Sequence, residues 1–344
     1  MDLESLKLFG REAMKNARQN AGVFIYRAGV FISSGICALA LSGCASLVPQ
    51  TAALRQALPQ GLPSQIELTQ VPFFPQTEYQ CGPAALATAL ASFGAKVTPE
   101  DLASQVYLPE RKGSLQVEML AAARRHGMVS YLLEPRLEDL LREVAGGNPV
   151  IVLQNFGLRD GWHYAVAVGY DYGIGDLILR SGTSEREQLN FAVHEFVWMR
   201  SGYWAMVALP PDRIPVTATE GRWLSAITAL EGAGGARPAA TAYATFLKRW
   251  PANLNAAIGL ANAHHTLGEL AQAEAVLREA ARREPDSVIV LNNLAQTLAD
   301  LGRDEEALPF AERAAAAGGP FTEAAQKTRS AILARLSAKQ KPKP

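Results

Sequence analysis

Apolar and polar positions follow three regimes along this chain. An almost unbroken apolar run covers residues 28–41. From 66 to 210, short helical and strand patterns are interleaved. Beyond 217 the pattern is helical throughout. In the middle regime, AALATALASF follows Pro83 and predicts a helix. Leu86, Leu90 and Phe93 fall on one buried stripe, Pro83 suits a first helical position, and Gly94 supplies a stop. TPEDLASQVYL, opening on Thr98 and Pro99, predicts a second helix; SLQVEMLAAARRHG and LEDLLREV predict two more. PVIVLQNF, residues 149–156, predicts a buried strand, and WHYAVAVGYD, residues 162–171, a second. Alternation places His163, Ala165, Ala167 and Gly169 on one face of that second strand, with room for a close-packed helix or a substrate. Tyr164, Val166, Val168 and Tyr170 take the other face. DLILRSGT, residues 176–183, predicts a third strand, and FAVHEFVWMRSGYWAMVALP, residues 191–210, reads as strand-like. Pro210, Pro211 and Pro215 then mark a boundary.

The last third repeats itself. Leu267-Gly268 recurs as Leu301-Gly302, and Pro251 as Pro285, both at a spacing of 34. Gly234 lies the same distance before Gly268, so a degenerate first copy is expected over 217–250. Helix, Leu-Gly turn, helix and proline at this period resemble tetratricopeptide repeats. Such helix pairs bury their apolar faces by stacking, so about three units are expected. The resemblance implies a peptide- or protein-binding groove, with Asn262, His264, His265, Asn292 and Asn293 as candidates to face it. His264 and His265 also read simply as exposed helix positions, and no further ligands at metal-binding spacing accompany them.

The N-terminal apolar run has a different meaning. Lys15, Arg18 and Arg27 precede it, it contains Ser33, Ser34 and Gly35, and it is short for a membrane span. Leu41-Ser42-Gly43-Cys44 closes it and resembles a bacterial lipobox, which implies a lipid on Cys44 and removal of residues 1–43. Asp2 and Glu4 make residues 1–13 a poor start for such a signal, so Met14 is an alternative start. Ala45, in place of an aspartate, implies outer-membrane sorting by resemblance to Gram-negative lipoproteins. The expected location is the cell envelope, at the outer membrane and facing the periplasm. Residues 44–65, small, polar and punctuated by proline, read as a tether.

Composition narrows the chemistry. The 344 residues carry 33 Lys+Arg against 33 Asp+Glu. No basic stripe stands out, so nucleic acid is not an expected partner. The C-terminal SAKQKPKP reads as a solvated tail. Hydrophobic content of 49% suffices for real cores. Of the three cysteines, Cys37 is lost with the signal and Cys44 is the lipidation candidate. Cys81 is left alone in an oxidising compartment. It stands at the mouth of the predicted helix, where the partial positive charge is expected to lower its pKa and favour the attacking thiolate. Of five histidines, His126 ends a helical pattern and His194 falls in the 191–210 segment. That leaves His163, opening a strand, as the partner for Cys81.

Gln76, the Cys81-Gly82-Pro83 helix mouth and the HYAVAVGYD strand together resemble the papain-like cysteine peptidases. The similarity is greatest to the family of double-glycine-leader (bacteriocin-processing) peptidases, over about residues 66–210. The resemblance implies an α+β papain-like domain followed by all-α repeats at 217–340. It makes Cys81 the nucleophile, His163 the general base and acid, and Gln76 an oxyanion donor, with no cofactor. Gln80, adjacent to Cys81, matches less well. The family usually orients its histidine with an Asp or Asn at the end of the next strand. Here Ser181, or nearby Arg180, stands there; Asp171 reads as a turn residue, and nothing in the sequence positions Asn155 or Asp160. The expected function is a lipid-anchored cysteine peptidase working through a thioester, with repeats that recruit a peptide or protein. A weak or inactive peptide-binding scaffold and a transamidase are the alternatives.

Overall fold

The computed structural model describes residues 47–76, 80–157 and 161–340. The predicted signal segment, Cys37 and Cys44 lie outside them, as does the end of the basic tail. A short helix α1 (Pro49–Leu54) and strand β1 (Gln65–Glu67) precede helix α2 (Cys81–Ala91) and helix α3 (Pro99–Val106). A small hairpin, β2 (Tyr107–Leu108) and β3 (Gly113–Ser114), leads to α4 (Gln116–Arg125), β4 (Val129–Leu132) and α5 (Leu137–Ala145). Strands β5 (Val150–Asn155), β6 (Trp162–Asp171), β7 (Asp176–Ser181) and β8 (Ser184–Asn190) follow. Helix α6 (Phe191–Trp198) and strand β9 (Ala205–Leu209) complete this part. The main sheet runs β4-β9-β5-β6-β7-β8, with β1 added to the far end of β6. All its pairings are antiparallel.

One core lies on each face of this sheet. Tyr164, Val166 and Val168 pack with Leu86, Leu90 and Met119 on one side. Ala165 and Ala167 face Leu140, Val144, Phe191 and Trp198 on the other. The small-residue face of β6 therefore meets α5 and α6, as its room for a close-packed helix predicts, while α2 packs on the large-residue face. Helix α2 buries more than a stripe. Every residue from Gly82 to Leu90 is buried, because sheet, hairpin and neighbouring helices surround it. α3 begins with a reciprocal capping box between Thr98 and Asp101.

Two other expectations change. Residues 191–198 are helical, not strand-like. The Asn190 side chain accepts from Ala192 N and caps that helix at 3.1 Å. Its buried polar residues, His194 and Glu195, find partners on two sides, and Ala205–Leu209 then forms the strand. The stretch read as a tether is docked from Pro49 on. Glu195, fully buried, accepts from Gln50 N at 2.9 Å and Thr51 N at 2.6 Å. Gln50 Oε1 in turn accepts from Leu137 N at 2.5 Å, and Tyr172 OH donates to Leu54 O at 2.5 Å. A carboxylate at a helix start satisfies otherwise orphaned N–H groups, which gives this polar stretch a reason to fold back.

The repeats are three helix pairs: α7 (Glu220–Gly232) with α8 (Ala236–Arg249), α9 (Leu254–Thr266) with α10 (Leu270–Arg283), and α11 (Val288–Asp300) with α12 (Asp304–Ala316). Helix α13 (Thr322–Gln340) follows. Gly234, Gly268 and Gly302 turn each pair with positive φ of 88°, 74° and 79°. A left-handed residue is required at each, which explains the glycine period. Trp223, Ile227 and Leu230 of α7 join the core that contains Val129, Tyr131 and Leu140. Tyr131 and Trp223 meet edge to face at 5.8 Å. Buried Glu143 accepts from Val216 N, Thr217 N and Thr217 Oγ1 just before α7. The proline-marked boundary is therefore a packed junction. Asn293 Nδ2 donates to Asn262 Oδ1 at 3.1 Å, and His264 and His265 pair with Glu269 and Asp300. Among the described residues no helix is long and apolar enough to cross a membrane.

Candidate active site

The site forms where β6 lacks a neighbour. β5 pairs with residues 162–167 along one edge of β6. On the other edge β7 pairs only from Val166 onward, so the backbone around Tyr164 is open on that side. Two segments fill the gap. Gln76 N donates to Gly182 O at 3.0 Å, and Gln76 Nε2 reaches Tyr164 O at 3.4 Å. The Cys81 thiol, first residue of α2, also hydrogen-bonds the Tyr164 backbone. Gln76 and Cys81 thus converge on the residue directly after His163, approaching the strand along its edge. Cys81 packs with the core on the Tyr164 face of the sheet.

His163 is half-buried and held from behind. Its Nε2 pairs with Ser181 Oγ at 3.0 Å. With Nε2 so engaged, Nδ1 is the other ring nitrogen. No hydrogen bond joins Cys81 Sγ to His163 in this arrangement. The Phe156 ring lies 6.5 Å from the imidazole. Ser181 is therefore the residue that contacts the imidazole where an Asp or Asn was expected. Arg180 points elsewhere, to Val71 O and Glu185 O. Asp171 and Asn155 accept from Ile174 N and Gly157 N in their own turns. Gln80 is the N-cap of α2, and Asp160 lies outside the described residues.

Electrostatics correct one expectation. Burial raises the Cys81 thiol above its ordinary value, and backbone hydrogen bonds from Tyr164, Gly82 and Cys81 itself only partly oppose this. Desolvation of the charged form outweighs the helix start. Burial also lowers the His163 imidazole, with the Glu187 carboxylate pulling the other way. Both shifts favour a neutral thiol and a neutral imidazole at rest. Sequence alone shows the helix mouth and not the depth at which the sulfur lies.

The wall beside the cysteine comes from the β2–β3 hairpin. A Cβ on Gly82 would collide with Ser114 Oγ and Cβ, so only glycine admits this approach. Tyr164 OH donates to Ser114 O at 3.2 Å and fastens the hairpin to β6. The second buried histidine, His194, stacks on Trp198 at 5.3 Å, and its Nδ1 meets Gln154 Nε2 at 3.0 Å. Burial holds it neutral, with its pKa pushed down to about 3. Among the described residues no group of three His, Cys, Asp or Glu side chains is placed to hold a metal.

Comparison with known proteins agrees with this architecture. Residues 68–205 match the Peptidase_C39 like family, and residues 224–283 and 266–320 match the tetratricopeptide repeat. No curated protein sequence matches the chain. Among solved structures, a protein described as a C39-like peptidase from Bacillus anthracis is 19% identical. That match covers 42% of this chain and 97% of the other, with a TM-score of 0.36. A double glycine motif protease from an AMS/PCAT transporter, in complex with the leader peptide, is 20% identical. It covers 40% of this chain and 89% of that one, with a TM-score of 0.31. By its family-model matches, the chain joins an α+β region similar to the Peptidase_C39 like family, over residues 68–205, to helices similar to tetratricopeptide repeats.

Proposed function

We propose that the chain is a cysteine peptidase that cleaves peptide bonds through a thioester on Cys81. The observation that carries this reading is the convergence of Gln76 and Cys81 on the Tyr164 peptide, beside an imidazole oriented by Ser181. Because the resting pair is neutral, attack and proton transfer are coupled. Cys81 Sγ bonds to the peptide carbonyl carbon while its proton passes to His163 Nδ1. The carbonyl oxygen becomes an oxyanion that meets the second N–H of the Gln76 amide and the backbone N–H groups at the start of α2. His163 then gives its proton to the leaving amine as the C–N bond breaks, and water, deprotonated by the same imidazole, releases the acid. Since His163 serves the leaving amine, residues after the cleaved bond lie on its side. Phe156 and Trp162, 51% and 56% exposed, give that side an aromatic surface.

In this reading the repeats hold a protein or peptide partner for the peptidase part. Cys44 carries lipid at the outer membrane, facing the periplasm; labelling cells with an alkyne fatty acid tests this, with loss of label in Cys44→Ala as the expected result. Ser181 in place of a carboxylate favours one rival, a peptide-binding scaffold with little turnover. To decide, the full chain is incubated with unfolded protein and the new N-termini are identified by mass spectrometry. The peptidase reading expects cleavage that Cys81→Ala abolishes. Identical fragments from both chains, or none from either, would leave the scaffold.

A further inference from the structure

Arg180 is a buried cation that the peptidase scheme does not use. It is 5% exposed, and among the described residues no carboxylate lies within ion-pair distance of it. Its guanidinium instead serves backbone carbonyls. Nε and one terminal nitrogen donate to Val71 O at 3.4 and 3.3 Å, and the other donates to Glu185 O at 2.6 Å. Burying a charge against neutral acceptors is costly, and buried charges are ordinarily paired. What the arrangement secures is the segment that carries Gln76.

Residues 68–76 run without helix or strand across the sheet. They are held at three places. Leu68 N donates to Val168 O at 2.7 Å, Val71 O takes the Arg180 fork, and Gln76 N donates to Gly182 O at 3.0 Å. Two of these anchors come from one tripeptide, Arg180-Ser181-Gly182. The residue between them is the one whose hydroxyl holds His163. A single strand end thereby sets both the arm of the oxyanion donor and the orientation of the imidazole.

We propose that Arg180 is a positioning residue for Gln76, fixing the arm so that the amide meets the oxyanion. This rests on the peptidase reading of the site. A planar fork can grip one carbonyl with two N–H groups while reaching a second; a lysine ammonium cannot reproduce that geometry. Methionine fills similar volume without charge, and such replacements of buried ions are often tolerated.

The test uses the full chain with Arg180→Met, Arg180→Lys, Gln76→Ala and the Arg180→Met/Gln76→Ala pair. The probe is acetyl-glycyl-glycinal, which has no side chain for an unknown subsite to refuse. Cys81 Sγ adds to the aldehyde carbon, the thiol proton passes to His163, and the aldehyde oxygen becomes the oxyanion. Arg180→Met and Gln76→Ala are each expected to weaken aldehyde binding by about tenfold or more. The double variant should be no weaker than Gln76→Ala alone, because one acts through the other. In Arg180→Met, alkylation of Cys81 by iodoacetamide, which forms no oxyanion, should stay within about twofold of the parent rate. Amide exchange should speed up over 71–76 and stay unchanged in α2. Additive losses, rescue by Arg180→Lys, or unchanged exchange over 71–76 would overturn the proposal. If the parent chain does not bind the aldehyde, the peptidase reading fails by itself, and exchange over 71–76 alone decides whether Arg180 clamps the arm.

Discussion

The neutral resting pair makes a prediction opposite to that of a preformed thiolate–imidazolium pair. A thiol that burial raises above the usual thiol value of about 8.5 is at most a few per cent ionised at pH 7. Its alkylation rate, which follows the thiolate, should therefore climb roughly 100-fold between pH 7 and pH 9. Replacing His163 with alanine should leave that profile almost unchanged, since a neutral imidazole does not stabilise a thiolate. The same replacement should abolish peptide cleavage, where His163 must accept the thiol proton. The assay is the second-order rate of iodoacetamide labelling from pH 5 to 10, read as intact mass. An unfolded peptide spanning residues 76–90 provides the reference thiol. The reasoning is refuted by a plateau of fast labelling below about pH 8 that disappears in His163→Ala. That result would mean that a thiolate–imidazolium pair forms despite burial.

Other consequences follow from particular contacts. Ser181→Asp should raise the His163 pKa and speed cleavage about tenfold or more, seen as an acid limb of the pH–rate profile moved upward; unchanged rate and limb would show that Ser181 does not orient the base. Removing residues 1–64 leaves buried Glu195 without its two backbone donors and should cost about 3 kcal/mol, measured by urea unfolding against a chain beginning at Ala45. Glu195→Gln should shrink that difference. His194 has a folded pKa of about 3, so the unfolded chain takes up a proton first as pH falls through about 6.5, and stability drops by about 1.4 kcal/mol per unit below that. In His194→Phe, which keeps the stacking on Trp198, this contribution to the slope should vanish even though Gln154 loses its partner. Gly82→Ala should displace the hairpin at Ser114 and slow Cys81 acylation, with the thermal midpoint lowered.

What the sequence displays and what it hides differ in range. β6 is predicted to the residue because its two faces differ in size and both are buried. The repeats are predicted because each pair needs a left-handed glycine at the same place. Residues 191–198 mislead because their apolar and aromatic content suits a strand. What makes them helical is the Asn190 cap together with two distant partners for His194 and Glu195, in the sheet and in α1. The docking of residues 49–54 is invisible for the same reason, since its receptor carboxylate lies 144 residues away. At the site, Cys81 and His163 are legible from helix-mouth and strand context, and Gln76 only from family resemblance. The role of Ser181 depends on the stagger between β6 and β7, and Arg180 on the path of residues 68–76. The direction of the Cys81 shift depends on burial, which no local pattern encodes.

The most direct test of the peptidase account is intact-mass detection of an acyl-enzyme during turnover of a peptide p-nitrophenyl ester by the full chain. The account predicts an acyl group on Cys81, nitrophenol released in excess of the enzyme present, and loss of the adduct in Cys81→Ala. In His163→Ala, release should be slowed by orders of magnitude. One equivalent of product with no further release, or release indifferent to His163, would contradict it.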